Sequence, residues 1–197
     1  MKNRPLTALV HELLAAVLQP GDTAVDATAG NGLDTLFLAR AVGATGHVVA
    51  IDRDAPALDA TRARLQSAGL KSNTRLIVAD HAELLAVVGH ELQGRPRAVT
   101  FNLGYRPGTP GDIKTSPAST IPALRQATTL LAPNGRATIL AYTGHDGGQR
   151  ETRAVAEWCG KLKGPYSSRE VRPPGTPEAA PRLFLIDRAV VSGDADR

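Results

Sequence analysis

The sequence contains little cysteine and few aromatic residues. Its 197 residues include one cysteine, one tryptophan, three tyrosines and three phenylalanines. A single cysteine, Cys159, excludes an intrachain disulfide and a cysteine-based zinc site, so we interpret it as a packing residue. No apolar run is long enough to span a bilayer, and His11 and Glu12 interrupt the apolar N-terminal stretch. We therefore expect no membrane segment, no export signal and a cytoplasmic location.

The chain has only a small excess of positive charge. The formal net charge is +4, with 42% hydrophobic and 21% charged residues, which is typical of a globular domain. This mild positive charge favours an anionic partner without establishing one. The length predicts one domain over residues 1–191, followed by a disordered tail at 192–197.

Apolar strand-like runs alternate with segments of helical periodicity, after an amphipathic helix at residues 5–18 that we expect to pack on the domain. Strands are predicted at 23–27, 47–51, 74–79, 98–101, 137–141, 165–171 and 183–191, and helices at 33–42, 54–68, 84–92, 117–131 and 149–162. Because no helix separates the last two strands, they should pair antiparallel. The sequence therefore predicts an α/β, doubly wound, mostly parallel seven-stranded sheet with an antiparallel C-terminal strand and helices on both faces.

Residues 25–36, VDATAGNGLDTL, join the first strand to the following helix through a glycine turn. Gly30 and Gly32 allow the backbone to turn sharply and to approach a ligand, and the helix start directs free N–H groups to the same place. Twenty residues after Gly32, the apolar run 48–51 ends in Asp52, an acceptor suited to the hydroxyls of a ribose. This spacing predicts a site for a nucleotide-like cofactor.

Two kinds of cofactor suit this architecture, a dinucleotide and S-adenosylmethionine (SAM). A dinucleotide fingerprint needs a third glycine where this chain has Thr35, and no Tyr-x-x-x-Lys pair is present. SAM has no pyrophosphate and fits better. Asp52 would bind its ribose, Asp80 its adenine amino group, and the backbone of residues 26–32 its methionine part, with Asn31 near the carboxylate. A helix N-cap is the alternative role for Asp80.

Several polar side chains directly follow predicted strands. Parallel strands place such ends at one edge of the sheet, so we expect them to converge on a single cleft. They are Asn31, Asp52, Asp80, Asn102, Tyr105, Tyr142 and His145.

Three motifs, VDATAGNGLDT, FNLGYRPG and AYTGHDGG, resemble those of a bacterial family of small methyltransferases that were labelled rRNA methylases and are now understood as tRNA 5-aminomethyl-2-thiouridine methyltransferases. The resemblance extends over residues 7–188. It implies a class I methyltransferase fold, SAM as cofactor, the wobble uridine (position 34) of certain tRNAs as substrate, and a homodimer. The chain has Thr28 where the general class I pattern has glycine, a change that the family shares. Its segments 109–116 and 173–185 depart from the family pattern.

The resemblance also implies roles for particular residues. The cofactor-binding candidates, taken from the resemblance and from the strand ends, are Asp26, Thr28, Gly30, Asn31, Gly32, Asp34, Thr35, Asp52, Arg53, Asp80, His81 and Asn102. The two motif loops at 102–108 and 142–148 would border the acceptor pocket.

Candidate catalytic residues lie in those two loops. Asn102 followed by Tyr105 resembles the Asn-Pro-Pro-Tyr motif of amino-directed methyltransferases, with Leu103-Gly104 in place of the prolines. Because a protonated amine cannot attack a methyl group, the site must favour the free amine or remove its proton. His145, Tyr142 and Asp34 are the candidates, either for proton removal or for contacts with the base. The alternatives are a turn role for His145 and buried, hydrogen-bonded rings for the tyrosines.

Basic residues provide a candidate surface for the tRNA anticodon stem-loop, namely Arg106, Lys114, Arg150 and Arg153. Two other functions stay open from the residues alone. One is methyl transfer to rRNA or a small molecule, and the other is a non-catalytic SAM-binding or RNA-binding module.

Overall fold

The computed structural model describes residues 5–70, 73–92, 95–104 and 114–191. Within these ranges the strands are β1 (Thr23–Asp26), β2 (His47–Asp52), β3 (Thr74–Val78), β4 (Ala98–Leu103), β5 (Arg136–Ala141), β6 (Tyr166–Val171) and β7 (Arg182–Arg188). The α-helices there are α1 (Leu6–Ala15), α2 (Leu33–Val42), α3 (Ala55–Ser67), α4 (Leu84–Val88), α5 (Pro117–Leu130) and α6 (Gly148–Cys159). The predicted site residue Tyr105, the basic Arg106 and the predicted tail at 192–197 lie outside the described residues.

The strands form one sheet in the order β3-β2-β1-β4-β5-β7-β6. β7 pairs antiparallel with both β5 and β6, whereas the pairs among β1 to β5 are parallel. The predicted architecture is confirmed, including the antiparallel C-terminal strand. The strand order reverses between β1 and β4, and ligands of such sheets bind beyond the strand ends at this point.

Helices cover both faces of the sheet. Successive side chains of a strand point to opposite faces, and apolar side chains on both faces are buried under these helices. In β1, Ala24 packs in the core formed with α1, α2 and α3, and Val25 packs in the core formed with α4, α5 and α6. The predicted packing of the N-terminal helix on the domain is thus observed, with Val10 and Leu14 buried. No helix of the described ranges combines the length and apolar character needed to cross a membrane.

Several element boundaries differ from the prediction. β4 continues to Leu103 because Asn102 and Leu103 pair in register with β5. β7 ends at Arg188, which pairs with Tyr166, the first residue of β6. α4 ends at Val88, where Gly89 follows, and not at residue 92. α1 ends at Ala15 and not at residue 18.

Cys159 is buried in the core beside α5 and the sheet, as the packing interpretation predicted. Burial raises the pKa of its thiol to about 12, so the thiol stays protonated at neutral pH.

Candidate active site

A cavity of about 760 Å³ lies at the carboxyl ends of the central strands. This volume lies within the range of sites for small molecules and cofactors, about 300–1,000 Å³. Its wall includes Thr7, His11, Thr28, Gly30, Asn31, Asp34, Phe37, Arg40, Asp52, Arg53, Ala79, His81, Asn102, Gly104, Lys114, Thr115, Tyr142, Gly144 and His145.

Hydrogen bonds behind the cavity wall fix the glycine turn. The buried Asp26 carboxylate accepts from the Thr35 hydroxyl at 2.6 Å and from the Thr28 amide at 3.2 Å. The Thr28 hydroxyl in turn accepts from the Asn102 backbone N–H at 2.6 Å. Asp26 and Thr35 therefore shape the turn from behind and do not line the cavity themselves.

The two glycines of the turn have different roles. Gly30 (φ 51°) lines the cavity, and a Cβ there would meet nothing closer than 3.9 Å. Gly32 (φ 76°) packs against α3, where a Cβ would lie 2.8 Å from the Thr61 Cα. Gly30 therefore fits the prediction that the backbone approaches a ligand closely. Gly32 is required instead because the glycine turn packs against α3.

Asp52 lies at the end of β2 and lines the cavity. Its carboxylate accepts from the Gly30 N–H at 2.8 Å and from the Asp54 N–H at 2.9 Å. A carboxylate has about four acceptor positions, so capacity remains for two hydroxyl groups. Arg53, the next residue, lies on the cavity wall as predicted.

Asp80 does not line the cavity; the structure gives it the alternative role of helix N-cap. Its carboxylate accepts from the Ala82 N–H at 2.9 Å at the start of a short 3₁₀ helix and lies 3.4 Å from the Arg53 guanidinium. The flanking residues Ala79 and His81 are the ones that line the cavity. Burial lowers the pKa of His81, so its imidazole is neutral at pH 7.

A polar cluster in the cavity wall is centred on Asp34, in the first turn of α2. One carboxylate oxygen lies 2.6 Å from His11 Nε2, and the other accepts from the Asn102 side-chain amide. The His11 ring stacks on Phe37 with centroids 4.2 Å apart. His11 and Phe37 were not predicted as site residues, because neither lies in a motif and the helix that carries His11 precedes the first strand.

Tyr142 and His145 border the cavity at the end of β5. Burial, and then the charge of Asp34, raise the pKa of the Tyr142 phenol, so this side chain is a neutral hydrogen-bond donor and not a proton acceptor at pH 7. His145 Nδ1 donates to the adjacent Asp146 carbonyl at 3.0 Å. That bond is the local turn contact expected under the alternative interpretation, and the ring still reaches the cavity wall.

The predicted convergence of strand ends is observed for Asn31, Asp52, Asn102, Tyr142 and His145, and not for Asp80. A buried group that sequence reasoning missed is Glu151 of α6. Its carboxylate accepts from the Thr115 hydroxyl at 2.7 Å and from the Thr120 hydroxyl at 2.6 Å. Thr115 lines the cavity, so Glu151 supports the wall from behind.

Asp26 makes stability depend on pH. Burial, and then the charge of Asp34, raise its pKa from 3.8 to about 7. The folded protein thus keeps a proton that the unfolded chain loses, and stability should fall as pH rises from about 4 through about 7. Asp26→Asn removes this titration. Between pH 5 and pH 8, the stability of the variant in urea unfolding should therefore rise by about 2.5 kcal/mol relative to that of the wild type. Asp59→Asn, at an exposed position, should show no such gain, and a parallel pH profile for Asp26→Asn would contradict the assignment.

The seven-stranded sheet with one reversed strand and a cavity at its switch point define the Rossmann-like class I methyltransferase fold. A "putative rRNA-methylase" from Clostridium thermocellum superposes with a TM-score of 0.87 at 31% identity, covering 95% of this chain and 100% of that one. A "putative methyltransferase" from Streptococcus mutans, solved in complex with SAH, gives a TM-score of 0.81 at 31% identity, with 95% and 99% covered.

The family follows from the sequence comparisons. Residues 48–187 match the family model described as "Putative rRNA methylase", and the chain belongs to this family. It is 36% identical over 157 residues to the chloroplastic tRNA (mnm(5)s(2)U34)-methyltransferase of Arabidopsis thaliana, a match that covers 76% of this chain and 57% of that protein. The chain spans 54 to 57% of the length of the curated relatives that it matches.

Proposed function

We propose that this protein is a SAM-dependent methyltransferase that N-methylates the aminomethyl group of 5-aminomethyl-2-thiouridine at position 34 of tRNA. The observation that carries the proposal is the shared cavity, in which a carboxylate suited to ribose (Asp52) and an amide suited to an amino group (Asn102) face the same space. The resemblance to the Arabidopsis tRNA methyltransferase supports the substrate class.

The cavity residues fit SAM. Asp52 would accept hydrogen bonds from the ribose hydroxyls, and the adenine would lie among Arg53, Ala79 and His81. The methionine part would follow the backbone at Gly30 and Asn31. This proposal differs from the sequence prediction in one respect: it assigns the base to Ala79 and His81, which line the cavity, and leaves Asp80 as an N-cap.

Bound SAM supplies an electrophilic methyl group: the amine nitrogen bonds to the methyl carbon, and the electron pair of the broken S–C bond goes to sulfur. The protein has to position an uncharged amine and exclude water. In the Asn-Pro-Pro-Tyr arrangement a backbone carbonyl assists the amide side chain. Here the Leu103 carbonyl accepts from Tyr142 N–H at 3.0 Å and that of Gly104 accepts from Thr115 N–H at 2.9 Å. Both carbonyls thus already accept one backbone N–H, and we assign the amine to the Asn102 side chain, which lines the cavity.

Arg150 and Arg153 would bind tRNA phosphates. They line a groove of about 450 Å³ that shares His145 with the main cavity, so a bound backbone would lie next to the acceptor pocket. Lys114, also predicted for this surface, donates to the Asp146 carboxylate at 2.7 Å, and this bond lowers the pKa of Asp146. Because its charge is compensated, we give Lys114 a minor part in RNA binding.

Replacing both Arg150 and Arg153 with alanine should weaken binding of an anticodon stem-loop about tenfold or more. It should also reduce the slope of log K against log salt by about 2, since each arginine lost removes one phosphate contact. Fluorescence anisotropy over a salt series measures both quantities. The matched control removes two arginines on α3 and β3, Arg62→Ala/Arg75→Ala. Equal slopes for the wild type and the Arg150/Arg153 variant would rule out this surface.

The activity is tested with labelled SAM and tRNAs that carry uridine 34 unmodified, aminomethylated or carboxymethylaminomethylated, followed by nucleoside mass spectrometry. We expect label only in the aminomethylated nucleoside. Label found only in rRNA or in a small molecule would show a different acceptor. Tight SAM binding without transfer to any acceptor would show a non-catalytic module.

A homodimer and a cytoplasmic location complete the proposal. The dimer rests on the family resemblance, and sedimentation velocity at micromolar concentration tests it directly. The chloroplastic relative shows that the compartment varies among similar proteins, so location has to be tested by fractionation of the source cell.

A further inference from the structure

Asp34 joins two elements of the site that are distant in sequence. It is 6% exposed and lies in the first turn of α2, where the helix dipole favours an anion. Its two carboxylate oxygens contact His11 of α1 and the Asn102 side chain of β4. Thr28 holds the backbone of Asn102 at the same time. Hydrogen bonds therefore hold both the backbone and the side chain of Asn102.

The chemistry of the pair determines which way the Asn102 amide faces. An ionised carboxylate only accepts hydrogen bonds, so the NH₂ group of Asn102 must face Asp34. The amide oxygen is on the other branch of the same planar group and is turned away from Asp34. Since Asn102 lines the cavity, we infer that this oxygen is the acceptor that the amide offers to a ligand there.

We propose that Asp34 is a positioning residue that locks the Asn102 amide with its oxygen toward the acceptor, and that His11 completes the lock by holding the second Asp34 oxygen. This inference rests on the proposed function, because it assigns the oxygen to an N–H of the substrate amine. An amine held by one N–H directs its lone pair along a defined line. As the new bond forms, positive charge moves from sulfur to nitrogen, and the Asp34 carboxylate behind the amide stabilises it.

Two variants of Asp34 separate its effect on the orientation of the Asn102 amide from the effect of its charge. Asp34→Asn keeps an oxygen for the Asn102 NH₂ and lets its own NH₂ donate to His11, so kcat should fall less than about fivefold. Asp34→Ala removes the lock, and kcat should fall about 30-fold, the equivalent of one charge-assisted hydrogen bond. Because Asp34 is also a cofactor-binding candidate, SAM affinity is measured separately by calorimetry without acceptor, and kcat is compared at saturating SAM. An Asp34→Ala enzyme with wild-type kcat would overturn the proposal.

A reciprocal exchange gives a rescue that a merely structural role would not produce. Asn102→Asp places two carboxylates face to face, and activity should fall about 100-fold. Adding Asp34→Asn to this variant places an amide NH₂ at position 34 opposite the new carboxylate at position 102. One oxygen of that carboxylate accepts the bond, and the other again faces the cavity. The double variant should recover about tenfold over Asn102→Asp. Activity no higher than that of Asn102→Asp would overturn the lock.

Side-chain amide NMR provides a readout that does not depend on the acceptor. The Asn102 NH₂ resonances should shift upfield and exchange faster with solvent in Asp34→Ala, and remain close to their wild-type positions in Asp34→Asn. Unchanged resonances in Asp34→Ala would overturn the proposal whatever the substrate is. The expected NMR changes without methylation of any tRNA would instead overturn the proposed function and leave the lock in place.

Discussion

Replacing Asp52 with alanine is expected to weaken SAM binding by about 100-fold or more. Two hydroxyl groups bonded to one carboxylate contribute about 1.5–3 kcal/mol each, and every 1.4 kcal/mol corresponds to a factor of ten. The same carboxylate orders the glycine turn through the Gly30 N–H and the segment before α3 through the Asp54 N–H. The loss therefore combines missing ligand contacts with a less ordered turn.

Two further variants separate these contributions. Asp52→Asn retains one acceptor oxygen and nearly the same volume, so its SAM affinity should be intermediate. Asp59→Ala removes the same charge from an exposed position of α3 and should leave affinity unchanged. Isothermal titration calorimetry with SAM measures all three, and thermal unfolding checks their folding. Wild-type affinity in Asp52→Ala would show that the ribose binds elsewhere.

Gly32→Ala should destabilise the protein by about 3 kcal/mol or more. A non-glycine residue in the left-handed region costs about 1–2 kcal/mol, and overpacking adds about 1–3 kcal/mol. Both apply here because the new Cβ would lie 2.8 Å from the Thr61 Cα, a backbone atom that cannot rotate away. The new Cβ should force α2 away from α3 and so lower the free energy of unfolding. A lower midpoint in urea unfolding measures this loss.

Gly30→Ala is the matched control in the same turn. Its φ of 51° is also positive, but a Cβ there has free space, so the loss should be about 1–2 kcal/mol. The difference between the two variants isolates the contact with Thr61. Equal destabilisation by both substitutions would contradict the packing role of Gly32.

Much of the fold was predictable because apolar runs and glycine or proline breaks mark each strand and helix. The boundaries that changed depend on partners that are far apart in sequence. Asn102 looked like a loop residue, yet it continues β4 because β5 provides a pairing edge. The final strand stops at Arg188 because β6 begins opposite it.

Much of the cavity wall was also predictable, since Gly30 and Asp52 follow strands with a known spacing. The sequence left two roles open for Asp80, because the same residue type at a strand end serves equally well as an N-cap, and the N-cap is the role seen in the structure. His11 could not be found from local pattern. Its position depends on the packing of α1 beside α2, and an amphipathic helix with one histidine carries no signal for it.

A crystal structure of the protein with SAH would show directly how the cofactor lies in the cavity. We expect both ribose hydroxyls within about 3.2 Å of the Asp52 carboxylate, the adenine beside His81, and the sulfur facing the Asn102 side chain across the cavity. A nucleoside bound on another surface, or density for SAH with its ribose away from Asp52, would contradict this expectation.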